Sequence, residues 1–316
     1  MKRIVTIGGG SGQFVLLRAL KDVRDFDLTS IVSMSDSGGS TGRLRDEYGV
    51  LPPGDILKCL IALSPYNDAR HILQSRFSGN NKLKDHNAGN LLLVFLSQYL
   101  GGNFPEAIEA MGKILNIRGR VLPVTTDKAT LVAELADGEF VYSESAIDIV
   151  LGQRRAIQRT FLVPHGGKLE VYPKVIKSIE KADYILLGPG DFYTSIVPNF
   201  LVPGVMKAII KSKAKIIFIL NLMTKYGETN GYKAGDFVIK LEEYLGKKID
   251  CTLANSKLPT KNVLLKYKKE KATPVVINIK DNWEKRKLIA TDLISESKII
   301  RHDSGKLKKI LQNICQ

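Results

Sequence analysis

The chain has 316 residues, 44% of them hydrophobic, with 47 Lys+Arg against 32 Asp+Glu and a formal net charge of +15. That suits one large α/β domain or two modest ones, and no apolar run approaches the ~20 residues needed to span a bilayer. Cys59, Cys251 and Cys315, and the scattered His71, His86, His165 and His302, show no paired spacing, which argues against a disulfide scaffold or a zinc cluster and leads us to expect free thiols in a soluble, cytoplasmic protein.

In chain order, residues 4–7 read as a strand, with no signal-peptide h-region at the start. GGGSG at 8–12 follows, then an amphipathic run over 14–20 and a second strand over 28–34. A helix between two strands is a βαβ crossover, which makes the sheet parallel. The stretch 34–56 is a polar loop rich in Gly, Ser and Pro. Helices are expected at 54–64, 68–77, 88–100 and 105–116, the last opened by Pro105-Glu106. Strands at 120–123, 130–135 and 139–142, with a tight turn at Asp137-Gly138, suggest an antiparallel insertion spanning about 118–173. The α/β rhythm then resumes: helix 176–182, strand 184–187, helix 204–212, strand 216–220, helix 235–245, strands 251–254 and 274–277, and a closing helix at 306–315. The expected architecture is one continuous domain, 1–316, a three-layer α/β/α fold on a mostly parallel sheet with a small antiparallel β insertion.

Ligands of open parallel sheets bind at the carboxyl ends of strands, and five such ends here carry Gly, Ser, Thr or Asn. GGGSG supplies Gly9, Gly10, Ser11 and Gly12 as a phosphate loop, because missing Cβ atoms let backbone N–H groups and a helix N-terminus approach an anion. No Gly-Lys-Ser/Thr follows, so it is not a Walker A loop. Gln13 stands where a dinucleotide fingerprint needs Gly or Ala. Asp36 ends the second strand, where it could hold a ribose hydroxyl, coordinate magnesium through one carboxylate, or only cap the loop. Gly38, Gly39, Ser40, Thr41, Gly42 and Arg43 can form a second anion nest in which Arg43 or Arg45 could hold a phosphate, with Ser37 beside it as a further ligand candidate; a salt bridge with Asp46 or Glu47 is the likelier use of Arg45. Asp55 opens a helix as a dipole charge or a second site carboxylate. Asn87 and Asn90 share a helix face, unless Asn87 is simply the cap. Gly188, Gly190, Tyr193, Thr194 and Asn199 after one strand, Asn221, Met223 and Thr224 after the next, and Asn255 after another complete the ligand candidates.

The charge is uneven. Residues 205–316 hold 24 Lys+Arg against 11 Asp+Glu, a net of +13, while residues 1–204 hold a net of +2. A lysine-rich solvated surface is the leading explanation, and an anionic ligand is the functional one. Aromatics do not alternate with the lysines as a nucleic-acid stacking platform requires, so nucleic acid is disfavoured.

The stretches GGGSG (8–12), 35–55, HNAGNLLL (86–93), 122–145, LLGPGDFYTSIVPNFLVPGV (186–205), NLMTKYGETNGY (221–232) and IIRHD (299–303) together resemble the CofD / YvcK-like family (UPF0052), on its bacterial gluconeogenesis-factor branch. The resemblance implies a Rossmann-like fold that binds nucleotides. The family's enzymatic branch transfers a phospholactate group from a guanosine diphosphate carrier to a deazaflavin with magnesium. Its bacterial branch is linked to gluconeogenic growth and cell shape and binds UDP-sugars. By position, Gly9, Gly10, Ser11, Gly12, Gly190, Thr194 and Asn221 would line the nucleotide, and Arg301 matches an arginine implicated in UDP-sugar binding. The chain departs from the family pattern at Ser37, where a second acid is usual, at Asp191, where serine is usual, and at Asn87.

Three functions are thus open. The first is a regulatory nucleotide-binding protein, with a UDP-sugar as favoured partner, no membrane, no certain cofactor and a homo-oligomer left open. The second is a magnesium (Mg2+)-dependent phospholactate-type transferase, with Asp36 and Asp55 on the metal and Asn90 orienting the acceptor. The third is a dinucleotide oxidoreductase, against which Gln13 counts.

Overall fold

Strands form where apolar residues run together, as parallel strands covered on both faces require. The computed structural model of the protein describes residues 1–80, 82–150, 155–295 and 299–316. β1 (Lys2–Gly8), α1 (Gly10–Leu20) and β2 (Phe26–Val32) make the expected crossover unit, with Ile4 opposite Leu28 and Ile7 opposite Ile31. α2 (Gly39–Tyr48), α3 (Gly54–Leu63), α4 (Ala69–Gln74), α5 (Ala88–Tyr99) and α6 (Phe104–Ile114) follow. β3 (Arg120–Pro123) then pairs parallel with β2. β4 (Ala129–Leu135), β5 (Phe140–Tyr142), α7 (Glu144–Asp148) and β6 (Ile157–Pro164) form the insertion, whose sheet is antiparallel in the order β5-β4-β6. The main sheet resumes through α8 (Pro173–Lys181), β7 (Tyr184–Leu187), α9 (Val205–Lys211), β8 (Lys215–Ile219), α10 (Ala234–Leu245), β9 (Cys251–Asn255), α11 (Lys261–Lys269), β10 (Lys287–Thr291) and α12 (Ser304–Ile314).

The seven-stranded order is β10-β9-β8-β7-β1-β2-β3. The chain leaves β1 toward β2 and β3, then returns to β7 on the other side. The gap between the loops after β1 and β7 is therefore a topological switch point, where ligands of such sheets bind. Ile4, Ile7, Leu16, Leu17, Leu20 and Ile31 are fully buried around this centre, each contributing roughly 1.5–3 kcal/mol by leaving water. Behind the β7 loop, Phe192 packs edge-on against Tyr193 at 4.9 Å and Phe237 at 5.5 Å, geometry that adds to simple burial.

Several expectations are corrected. Residues 39–48, read as loop, form α2, because Gly38 in an extended conformation leads straight into a helix that ends at left-handed Gly49. Residues 120–123 belong to the main sheet as its edge strand, so the insertion's sheet begins only at β4. Residues 274–277 are not a sheet strand. Pro274 makes an isolated bridge to Met223, and the segment braces the loop after β8; proline has no N–H for a ladder. The strand beside β9 is instead β10, half exposed at the sheet edge. Among the described residues no helix is long and apolar enough to cross a membrane.

Candidate functional site

The first turn of a helix leaves its leading N–H groups without intrahelical acceptors. α1 starts at Gly10, and Gln13 N–H is the first to reach back, to the Gly9 carbonyl. Gly10 N–H donates to Asp55 Oδ2 at 2.7 Å, so in the first turn the amides of Ser11 and Gly12 are left without an intrahelical acceptor. Facing them is the loop after β7. A Cβ on Gly12 would be driven into the Pro189 carbonyl, so only glycine lets the two loops meet. Gln13 is a brace: its Nε2 donates to Thr6 Oγ1 at 2.7 Å and Ser30 Oγ at 3.0 Å, tying α1 to β1 and β2.

On the β2 side lies an acidic corner. Asp36 Oδ1 accepts from Gly38 N–H at 3.0 Å, and the tight approach of Gly54 to Asp36 Oδ2 joins the corner to Asp55. Burial and then Asp55 push the Asp36 carboxyl above its ordinary value. Lys58 lies 2.9 Å from Asp55 Oδ1; burial would lower its pKa, but Asp55 holds it raised. The insertion delivers a further carboxylate. Glu144 Oε2 accepts from Ser37 N–H at 3.3 Å, Ser145 N–H donates to Ser37 Oγ at 3.0 Å, and burial followed by Asp36 pushes Glu144 up to about 8. Both Asp55 oxygens are engaged by Gly10 and Lys58, so Asp55 does not fit the role of metal ligand. Among the described residues no group of three His, Cys, Asp or Glu side chains is arranged to hold a metal ion. Asp36 and Glu144 are the carboxylates that could meet magnesium entering with a diphosphate, since magnesium needs only one or two besides phosphate oxygens.

On the β8 side a cleft is lined by Gly9, Gly10, Ser11, Gly12, Gly190, Asn221, Met223 and Arg301, together with Tyr267 and His302. A second cleft shares Asp191, Met223 and Tyr267 and adds Thr224 and Lys225. Arg301 is exposed. Asp191, which would repel a phosphate, is countered: Lys225 Nζ lies 3.0 Å from it and also pairs with Asp148 of α7 and Glu228. Burial works against the Lys225 charge, but Glu228, Asp191 and Asp148 outweigh it and hold its pKa above the usual lysine value. The Tyr267 hydroxyl accepts from Ile300 N–H at 3.0 Å, linking α11 to the segment that carries Arg301.

The other sequence candidates divide. Asn87 caps α5, accepting from Asn90 N–H at 2.7 Å. Asn90 reaches Ser40 Oγ at 3.4 Å, and Ser40 bonds His86 Nδ1 at 2.9 Å. Arg43 donates to the Lys84 carbonyl, and Arg45 pairs with Asp46. Gly39 opens α2. Residues 36–43 line neither cleft described above; Gly54 packs against Asp36 and Thr41, and Asp55 against Gly9. Tyr193 is fully buried with its hydroxyl on Tyr232, and Asn199 Nδ2 donates to the carbonyls of Ser195 and Ile196, while its buried Oδ1 has no partner among the described residues. Thr194 is buried, Gly188 packs under Ile196, and Thr224 bonds Thr273. Asn255 holds Leu293 N–H and the Lys257 carbonyl. The residue reading missed Glu144, Lys225, Tyr267 and His302, although the stretches 122–145, 221–232 and 299–303 contain Glu144, Lys225 and His302.

Residues 4–294 match the family model described as 2-phospho-L-lactate transferase CofD. A relative from Bacillus subtilis, named gluconeogenesis factor, is 40% identical over 316 residues, covering 99% of this chain and 98% of its own. Another gluconeogenesis factor, from Halalkalibacterium halodurans, is 38% identical over 318 residues, covering 98% and 95%. The crystal structure of a UPF0052 family member from Bacillus halodurans superposes with a TM-score of 0.90 at 36% identity, over 98% of this chain and 99% of that one.

Proposed function

The chain belongs to the CofD family, and on that premise we propose that it is a cytoplasmic regulatory protein that binds a UDP-sugar and serves carbon metabolism and cell shape. The observation that carries this is the convergence of the α1 first turn, Gly190 and Arg301 on one cleft at the switch point. Amides at a helix start and a guanidinium suit a diphosphate. The acids nearby are already engaged, Asp55 by Lys58 and Asp191 by Lys225, so an entering anion does not meet them bare. Relatives named gluconeogenesis factor support a role in carbon metabolism.

Thermal-shift titration with UDP-N-acetylglucosamine, UDP-glucose, GDP and NAD tests the reading. A ligand at 100 times its Kd stabilises by about 2.7 kcal/mol; no stabilisation by either UDP-sugar overturns it. A magnesium-dependent phospholactate-type transferase is the second reading, favoured by the proximity of Asp36 and Glu144 at Ser37. Turnover of a nucleotide-activated phospho-acid with magnesium and a deazaflavin acceptor, rising in Ser37→Asp, would favour it; no turnover in either protein counts against it.

A further inference from the structure

Two polar side chains on the β8 side of the cleft are each fixed as hydrogen-bond acceptors and lack a donor among the described residues. Asn221 Nδ2 donates to the Gly190 carbonyl at 2.7 Å. The opposite amide orientation would set oxygen against oxygen, so Oδ1 is the atom left over, buried and without a partner among the described residues. His302 is 8% exposed. One ring nitrogen is held by the Leu220 backbone; a carbonyl only accepts, so the proton sits on that nitrogen. Nε2 then carries the lone pair, and it too has no partner among the described residues. Burial pushes the His302 pKa down to about 4, which keeps the ring neutral and this acceptor in place at neutral pH. A buried acceptor without a donor costs about 1–3 kcal/mol.

We propose that Asn221 Oδ1 and His302 Nε2 form a paired acceptor for a vicinal diol of the bound nucleotide or nucleotide-sugar. The proposal rests on the nucleotide reading above and deepens it. Both residues line the same cleft as Gly12, Gly190 and Arg301. Phosphate and carboxylate offer no donors at neutral pH and do not match the pair. A uracil edge offers one N–H. A guanine edge offers two, but it lies a sugar's length beyond the phosphates, whereas Asn221 is bonded directly to Gly190 in the phosphate cradle. Adjacent hydroxyls of a ribose, or of the hexose on the far phosphate, present two donors at the right remove.

Calorimetric titration of the full chain tests this in two arms, UDP against 2′-deoxy-UDP for the ribose and UDP-glucose against UDP-2-deoxyglucose for the hexose. The expected result is a loss of about tenfold in affinity in one arm, as for one acceptor left unpaired, and collapse of that ratio toward one in His302→Phe and in Asn221→Leu. The arm that responds identifies which sugar is read. Deoxy ligands binding wild-type protein within twofold of their parents in both arms overturn the assignment, as does GDP binding tighter than UDP with 2′-deoxy-GDP equal to GDP. Should a variant not fold, the wild-type ratios decide alone. If no nucleotide binds wild-type protein, the nucleotide reading fails and takes this assignment with it.

Discussion

On the β2 side of β1, Asp55 accepts from Gly10 and Lys58, Ser37 is tied to Glu144 and Ser145, and Asn87 caps α5. On the β8 side, Asn221 and His302 each keep a buried acceptor unpaired among the described residues, and Arg301 stands exposed. Polar groups bonded internally are scaffold; they shape the loop and have little left for a ligand. Groups that fold without their bonds carry a cost that a ligand can relieve. On the β2 side the Asn90 oxygen and Gln13 Oε1 are likewise buried without a partner among the described residues. On the proposed nucleotide reading, one flank of the glycine loop supports it and the other recognises the ligand.

Substitutions separate the flanks. Gly12→Ala should act on both, because the new methyl meets backbone that cannot swing aside. We expect about 3 kcal/mol of destabilisation, read by denaturant unfolding, with loss of nucleotide binding. His302 and Glu144 should respond to pH with opposite signs. His302 has its folded pKa depressed to about 4, so the unfolded chain takes up its proton first, and stability falls as pH drops from about 6.5 to 4. His302→Phe should remove about 2 kcal/mol of that loss in unfolding curves at pH 7 and pH 4.5. Glu144 has its folded pKa raised to about 8, so the unfolded chain releases its proton first, and stability falls as pH rises from about 4.5 to 8. Its partial exposure reduces the effect, and Glu144→Gln should gain about 1–2 kcal/mol at pH 8 and almost nothing at pH 4. Asn87→Ala should cost about 1 kcal/mol as a lost cap and leave nucleotide affinity unchanged; a fall in affinity without a fall in stability would move Asn87 to the recognition side.

Much of this was legible in the chain. Apolar runs ending in Gly, Ser or Asn located β1, β2, β7, β8 and β9, and with them the carboxyl-end loops. α2 was hidden because GGSTGRLRDEY has two opening glycines and little apolar periodicity, and α11 because KNVLLKYKK buries no residue. β10 was missed since an edge strand needs no continuous apolar run. Side-chain roles were harder. A Tyr or Asn after a strand reads the same whether it faces a ligand or the interior, and only packing turned Tyr193 and Asn199 inward. Glu144 and Lys225 reach the site through tertiary contacts between the insertion and the sheet, which no local pattern encodes. His302 sat beside Arg301 in the quoted stretch, yet its meaning depends on the Leu220 backbone across the cleft.

The most direct measurement is calorimetric titration of UDP-N-acetylglucosamine into wild-type, Arg301→Ala and Asn87→Ala proteins. The account predicts saturable binding to wild type, unchanged in Asn87→Ala and at least about tenfold weaker in Arg301→Ala, the loss of a charge-assisted contact to phosphate. Binding to Arg301→Ala as tight as to wild type, or no binding to any of the three, would contradict it.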